Sequence, residues 1–240
     1  MCFTINIRTT RSAIEKKFDA DASALFDFDF RYFYRAFDNP LIPVISQDDP
    51  NRVQIMQWGL IPHWVKDEGQ AANIRKGTYN ARAESLAEKP SFRKAYADRR
   101  CLVIVTGFFE WQHTRQQKVP WFIQHKDEQI MALGGVADQW LHPTTGNSIH
   151  SFSIVTVHAN PLLAKIHNTK KRMPLILGEE SAKAWLEQDR HPENTATLMK
   201  PLDEELLKAH TVRNQFTGTH DPHDSSVTEP YSYPQDQTLF

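Results

Sequence analysis

The chain has 240 residues, 40% hydrophobic and 24% charged, with 28 Lys and Arg against 29 Asp and Glu for a formal charge of −1. That length suits one sizeable core, since a domain takes roughly 100–200 residues, and the composition excludes fibrous, disordered and disulfide-scaffold classes. A near-neutral total neither supports nor excludes a polyanionic partner, which needs a local basic face rather than a basic sum. The two cysteines, Cys2 and Cys101, lie far apart, give no metal-type pair and fit a reducing compartment. No apolar run approaches the ~20 residues of a membrane span. "MCFTINIRTTRSAIEKKF" carries charges where a secretory leader has an apolar block, so a soluble cytoplasmic protein is expected.

In chain order, "INI" opens as a short strand and "TTRSAIEKKF" follows as a helix, with Ile14 and Phe18 on one face. "NPLIPVISQDDPNRVQIMQWGLIPHW" alternates apolar runs with Pro, Asp and Asn breaks, as short strands and turns do. "ARAESLAEK" predicts a helix, with Asn80 a favourable N-cap directly ahead of it. "CLVIVTGFFEW" carries a continuous β-branched run and reads as a buried strand; "VPWFIQ", "IMALGGVADQW" and "HSFSIVTVHA" repeat the pattern. A short helix begins at Asn160-Pro161, where proline suits the first helical position, and another covers "GEESAKAWLEQ". Strands outnumber helices without regular βαβ alternation, so the expected class is α+β. It is expected as a single domain over residues 1–213, with a largely antiparallel sheet or barrel core and short flanking helices. Residues 214–240 lose apolar periodicity and read as a tail, laid over the domain or disordered.

Two basic clusters stand out: Arg93, Lys94, Arg99 and Arg100 in "RKAYADRR", and Lys165, Lys170, Lys171 and Arg172 in "KIHNTKKRMP". Each alone reads as a solvated face. "HDPHD" (His220, Asp221, His223, Asp224) lies among loop formers and is not expected to bind a metal; no cofactor is expected.

Cys2, "WGLIPHW" (Trp58 to Trp64), "NARAES" (Asn80 to Ser85), "GFFEW" (Gly107 to Trp111) and "HNTKKRMPLIL" (His167 to Leu177) occur in this order. Each motif is weak alone, but the ordered set resembles the SOS response-associated peptidase (SRAP) family from Cys2 to about Val212. The resemblance implies a monomer that recognises abasic sites in single-stranded DNA and joins itself to them through an N-terminal cysteine. No metal and no membrane is expected. Three departures stand beside the resemblance. Phe3 and Thr4 follow Cys2 where the family has Gly-Arg-aromatic. Asn168 to Lys171 separate His167 from Arg172 where one residue is usual. "FYRAFDNPLIPVI", with Pro40 and Leu41 as a loop at the DNA, replaces an Asn-Val-Ala-Pro-like stretch.

The chemistry follows from residue types. Removal of Met1 ahead of a small second residue leaves Cys2 with a free α-amine and a thiol. Their ordinary pKa values, about 7.7–8 and 8.5, leave a useful fraction of each nucleophilic at neutral pH. An aldehyde gives such a pair an imine and then a five-membered thiazolidine. Glu110, placed at a strand end, is expected to be partly buried, with a raised pKa, and to trade protons. His167 falls near the C-terminus of the helix begun at Pro161 and either satisfies the helix dipole or, as the resemblance implies, moves a proton at the sugar. His158 competes with it but falls in a strand pattern. By resemblance Asn80 orients the Cys2 backbone or the sugar hydroxyls. Arg82 and Arg172, with Lys170 or Lys171 beside the latter, grip phosphates. Trp64 rather than Trp58 stacks on a base. Two other classes fit the same residues: a cysteine peptidase with Cys2 as nucleophile and His167 as base, and a non-catalytic single-stranded DNA-binding module.

Overall fold

The computed structural model describes residues 2–187, 192–216 and 220–233. Its strands are β1 (Thr4–Asn6), β2 (Tyr34–Arg35), β3 (Leu41–Ser46), β4 (Asp49–Trp58), β5 (Asn80–Arg82), β6 (Arg100–Val105), β7 (Gly107–His113), β8 (Lys118–His125), β9 (Met131–Leu141), β10 (Ser148–His158), β11 (Arg172–Pro174), β12 (Ile176–Leu177) and β13 (Leu207–Thr211). The helices are α1 (Arg11–Phe18), α2 (Glu68–Arg75), α3 (Arg93–Asp98), α4 (Pro161–Ile166), α5 (Glu179–Leu186) and α6 (Pro192–Ala196).

Two sheets carry the fold. One is antiparallel, in the order β13-β8-β7-β1-β2. The other runs β11-β10-β4-β3-β6-β9-β12, and the additional pairing of β9 with β10 closes β10-β4-β3-β6-β9 into a ring. Closure removes the exposed edges an open sheet would leave. The α+β class with a largely antiparallel, barrel-like core is therefore as expected, with two parallel pairings, β10 to β4 and β10 to β5. β6 is buried at every position, which is why its sequence is an unbroken apolar run after Arg100.

Most elements follow their sequence signals. Thr10 caps α1, Asn160 caps α4 by accepting from the Leu163 N–H at 2.8 Å, and Pro161 occupies the first turn. Two elements differ. "CLVIVTGFFEW" is two strands in two sheets, divided at Thr106, whose N–H bonds the Asn6 carbonyl at 2.8 Å. At Gly107 a Cβ would lie 2.5 Å from the Phe122 ring, so only glycine allows β7 to pass so close to β8. "ARAESLAEK" is not a helix. Asn80 to Arg82 pair in parallel with Ile154 to Thr156, and only a short 3₁₀ turn, Ala83–Ser85, follows. Tertiary pairing outweighs local helix propensity, which differs by less than about 1 kcal/mol per residue between ordinary residues. The helices α2 and α3 carried no recognised signal; Asp67 caps α2 by accepting from Gln70 at 2.8 Å.

Past Asn214 the described chain returns to the antiparallel sheet. The Pro222 carbonyl accepts from Tyr32, Tyr231 donates to Thr211, and Val227 is buried with Phe33, Phe109, Phe122 and Val212. Met1, residues 217–219 and residues 234–240 of the expected tail lie outside the described residues. Among the described residues no helix is long and apolar enough to cross a membrane.

Candidate active site and nucleic-acid interface

β1 enters the antiparallel sheet against β7, with Thr4 opposite Phe109, and this register carries Cys2 toward the Glu110–Trp111 end of β7. Cys2 is fully buried. Asn80 donates from Nδ2 to the Cys2 carbonyl at 2.9 Å, so β5, by pairing with β10, brings the amide to the residue behind Met1. Asn80 thus holds the Cys2 backbone from a strand rather than capping a helix. Among the described residues its buried Oδ1 has no hydrogen-bond partner. Burial, and then the charge of Glu110, push the Cys2 thiol far above its ordinary pKa. In the chain that still carries Met1, burial thus favours the neutral thiol.

Glu110 lies in the middle of β7 and is only 3% exposed, so it is buried rather than partly covered at a strand end. Phe109 and Trp111 on either side pack against Phe216, and strand alternation turns Glu110 to the opposite face, where its charge acts on Cys2. His167 terminates α4 as its C-cap, as expected, and is buried. Its Nδ1 lies 2.9 Å from the Arg172 carbonyl and 3.2 Å from the Arg172 N–H. α4 is tied to β7 by Gln112, which donates to the Lys165 carbonyl at 3.3 Å, and by Asn168, which accepts from the His113 N–H at 3.0 Å and donates to its carbonyl at 2.8 Å. The strand that carries Glu110 is thus bound to the segment that carries His167.

The expected phosphate ligands separate. Arg82 is exposed and, among the described residues, its side chain makes no hydrogen bond or ion pair. Lys170 and Lys171 are also exposed, and Lys171 adopts the left-handed region at φ 48°. Arg172 is buried. Its guanidinium forks onto Glu84 at 2.6 and 3.0 Å and bonds the Thr156 carbonyl. The planar fork matches a carboxylate better than it matches water, and Glu84 sits where β5 ends beside β10. His158 is exposed and touches Glu84 from outside at 3.2 Å.

Trp58 is fully buried, stacks on Phe152 and donates to the Tyr79 carbonyl at 2.9 Å, whereas Trp64 is 41% exposed. Trp64 lines a cavity of ≈ 350 Å³ with His63, Pro90, Arg93 and Lys94. The "RKAYADRR" cluster divides: Arg93 and Lys94 face out on α3, Arg99 pairs with Asp138 at 3.0 Å, and Arg100 is fully buried against the Tyr96, Ala97, Trp185 and Glu187 carbonyls. A larger groove of ≈ 960 Å³ between α1 and α5 shares no residue with the Cys2 corner. In "HDPHD", His220 pairs with Asp224 and His223 with Asp29; among the described residues no group of three or more His, Cys, Asp or Glu could hold a metal.

Sequence reasoning missed one feature beside Cys2. Phe37, 63% exposed, stacks on Phe3 at 5.0 Å, and Tyr79 meets both edge-on. Leu41 is exposed and opens β3, whereas Pro40 is half-buried. The aromatic density of "FDFDFRYFYRAFD" is the signal that pointed there.

The strand ring, the antiparallel sheet laid beside it and a buried residue 2 between them define a class of fold already represented among solved structures. A protein from Bacteroides thetaiotaomicron superposes with a TM-score of 0.91 at 36% identity, covering 96% of this chain and 100% of that one. A Bordetella bronchiseptica protein, at 23% identity and a TM-score of 0.77 over 88% of this chain and 100% of that one, shares the fold. The family described as SOS response associated peptidase (SRAP) matches residues 1–218, and the chain belongs to it. The abasic site processing protein YoqW of Bacillus subtilis is 36% identical over 174 residues, 72% of this chain and 74% of its own. The abasic site processing protein HMCES of Xenopus tropicalis is 30% identical over 168 residues, 62% of this chain and 49% of its own.

Proposed function

We propose that the protein captures abasic sites in single-stranded DNA by forming a covalent bond through Cys2 once Met1 has been removed. The observation that carries this reading is the Asn80 amide on the Cys2 carbonyl at 2.9 Å, in a corner where Glu110 acts on the same residue. The same residue thus receives a side-chain amide on its carbonyl and the charge of a buried carboxylate on its thiol.

The α-amine adds to C1′ of the ring-opened sugar, and loss of water gives the imine. The Cys2 sulfur then adds to the imine carbon while its proton passes to the imine nitrogen, closing the thiazolidine. The net change is aldehyde plus aminothiol to thiazolidine plus water. Because burial and Glu110 hold the thiol neutral, the amine acts first and the sulfur second. Glu110 gives a proton to the sugar ring oxygen as it opens and takes one back as the amine adds; His167 moves the proton that lets water leave. Asn80 fixes the Cys2 backbone from Nδ2 and offers Oδ1 to a sugar hydroxyl. Arg82 and Lys171 meet phosphates, and Trp64 stacks on a neighbouring base.

The names of the relatives, abasic site processing proteins, support this reading. A peptidase thiolate needs a depressed thiol pKa, and burial acts on Cys2 in the opposite sense. A denaturing gel with abasic and intact oligonucleotides tests the proposal. A heat-stable shifted band with abasic DNA alone is expected. Peptide cleavage without such a band would select a peptidase, and salt-sensitive binding alone would select a binding module.

A further inference from the structure

We propose that Glu84 and Arg172 are positioning residues that lock the His167 ring so that its Nε2 can gain and lose a proton without the ring turning. The inference rests on the reading of Cys2 as the capture residue, and it departs from the sequence expectation that Arg172 holds a phosphate.

His167 Nδ1 faces both backbone polar groups of one residue, the Arg172 N–H at 3.2 Å and the Arg172 carbonyl at 2.9 Å. A neutral ring with its proton on Nε2 accepts from the N–H. A neutral ring with its proton on Nδ1, or a cationic ring, donates to the carbonyl. Every protonation state therefore keeps a partner at Nδ1, and exchange of one proton at Nε2 leaves the imidazole in place. Such a ring serves as acid in one step and as base in the next, which imine formation and ring closure both require.

The Arg172 peptide is held there by its own side chain. Glu84 takes the guanidinium through two oxygens at 2.6 and 3.0 Å, and the Thr156 carbonyl takes it from β10. β11 is zipped to β10 with Arg172 opposite His158, so the backbone cannot rotate independently of the ion pair. Partial burial alone would raise the Glu84 carboxyl, but the Arg172 hydrogen bonds, and then the Arg172 and His158 charges, hold it below its ordinary pKa. The pair therefore stays charged at neutral pH. On the other side, the Asn168 clasp on His113 fixes the start of the turn. The Asn168 to Lys171 spacer, longer than the family's usual single residue, is pinned at both ends, and Lys171 takes the left-handed conformation that closes it.

The test uses Glu84→Gln and Arg172→Lys in the full chain, with Glu84→Asp as the conservative control. Three readouts are needed: crosslinking rate at saturating abasic oligonucleotide across pH, salt-dependent affinity for intact single-stranded DNA, and the ¹⁵N NMR signature of His167. Glu84→Gln and Arg172→Lys are expected to slow crosslinking by roughly 10–100-fold, the scale of a misplaced reacting group, to move its pH profile, and to change the His167 nitrogen shifts. Affinity and salt slope stay as in the wild type, and Glu84→Asp recovers part of the rate. A lost unit of salt slope in a further variant, Arg172→Gln, with the saturated rate and His167 shifts unchanged, would make Arg172 a phosphate ligand and overturn the proposal. Unchanged His167 shifts and pH profile in Glu84→Gln would overturn it too. Because Glu84 is 45% exposed, its variants decide the matter even if Arg172→Lys does not fold. A wild-type protein that forms no heat-stable adduct would instead sink the capture reading, while the His167 shifts still report whether the lock exists.

Discussion

Arg82 and Arg172 flank the same strand and live in opposite environments. Arg82 sits on β5 opposite Thr156 of β10, and Arg172 on β11 opposite His158, two residues further along. One side chain stands in solvent with no protein partner among the described residues; the other is buried on Glu84. The contrast extends to the other residues expected at the site. Cys2, Asn80, Glu110 and His167 are all buried, and each is placed by strand pairing or a helix cap. Trp64, Arg82 and Lys171 are exposed, although the Trp64 indole donates to the Pro90 carbonyl at 3.4 Å. A residue type tells what a side chain can do; only its neighbours tell whether it does so to DNA or to the protein.

If that division holds, variants of the buried residues change the rate of bond formation and variants of the exposed ones change affinity. The largest effect is expected for Glu110→Gln, which keeps the shape of the side chain but cannot shuttle protons. Crosslinking at saturating DNA should slow by about 10²–10⁴-fold with affinity for intact single-stranded DNA nearly unchanged. A normal rate would make Glu110 structural and blur the boundary. Next, Trp64→Ala should weaken binding by about 1–3 kcal/mol whatever the base sequence, with the saturated rate preserved. Trp58→Ala should instead act through the core, costing about 3–5 kcal/mol of stability by thermal or denaturant unfolding. Arg82→Ala should remove about one unit from the log–log salt slope of binding and leave the saturated rate alone, the pattern of a single lost phosphate contact.

The smallest effect concerns acid. The Glu84 carboxyl has a lowered pKa in the folded protein, so its contribution to stability is fully present above the unfolded glutamate value of about 4.3 and is lost as pH falls through the lower folded value. Thermal unfolding of wild type and Glu84→Gln should therefore differ above about pH 4.3 and converge below it. Solvent at the half-exposed carboxylate keeps that difference modest. A gap that stayed open well below that pH would contradict the ion pair.

Much of this arrangement was legible in the sequence, and what was not has a common cause. Ordered motifs carried the family, and unbroken or alternating apolar runs carried β6, β8, β9 and β10. Asn160-Pro161 marked α4 and so placed His167 at its end. Trp64 was separable from Trp58 as a stacking residue only through the resemblance; the structure leaves Trp64 41% exposed and buries Trp58 fully. Hidden from the sequence were features decided by partners distant in the chain. "ARAESLAEK" has good helix propensity, and nothing within it announces that β10 will claim Asn80 to Arg82. The burial of Arg172 depends on Glu84, which belongs to a different motif. Arg100 turns inward onto backbone carbonyls while Arg93, in the same basic run, faces out. The state of the Cys2 thiol depends on desolvation, which residue type alone does not fix.

The reaction assigned to Cys2 requires the amine and the thiol to belong to the same first residue, and one variant separates them. Inserting a single residue between Met1 and Cys2, chosen so that only Met1 is cleaved, keeps the thiol but moves the free amine one residue away. Intact-mass spectrometry after incubation with an abasic oligonucleotide shows first whether Met1 is gone and then what adduct has formed. The wild-type chain, without Met1, should gain the mass of the oligonucleotide less one water and keep it on heating. The inserted variant should give only an imine that is lost on heating unless borohydride reduces it. A heat-stable adduct from the inserted variant, in undiminished yield and without reduction, would contradict capture by a terminal aminothiol.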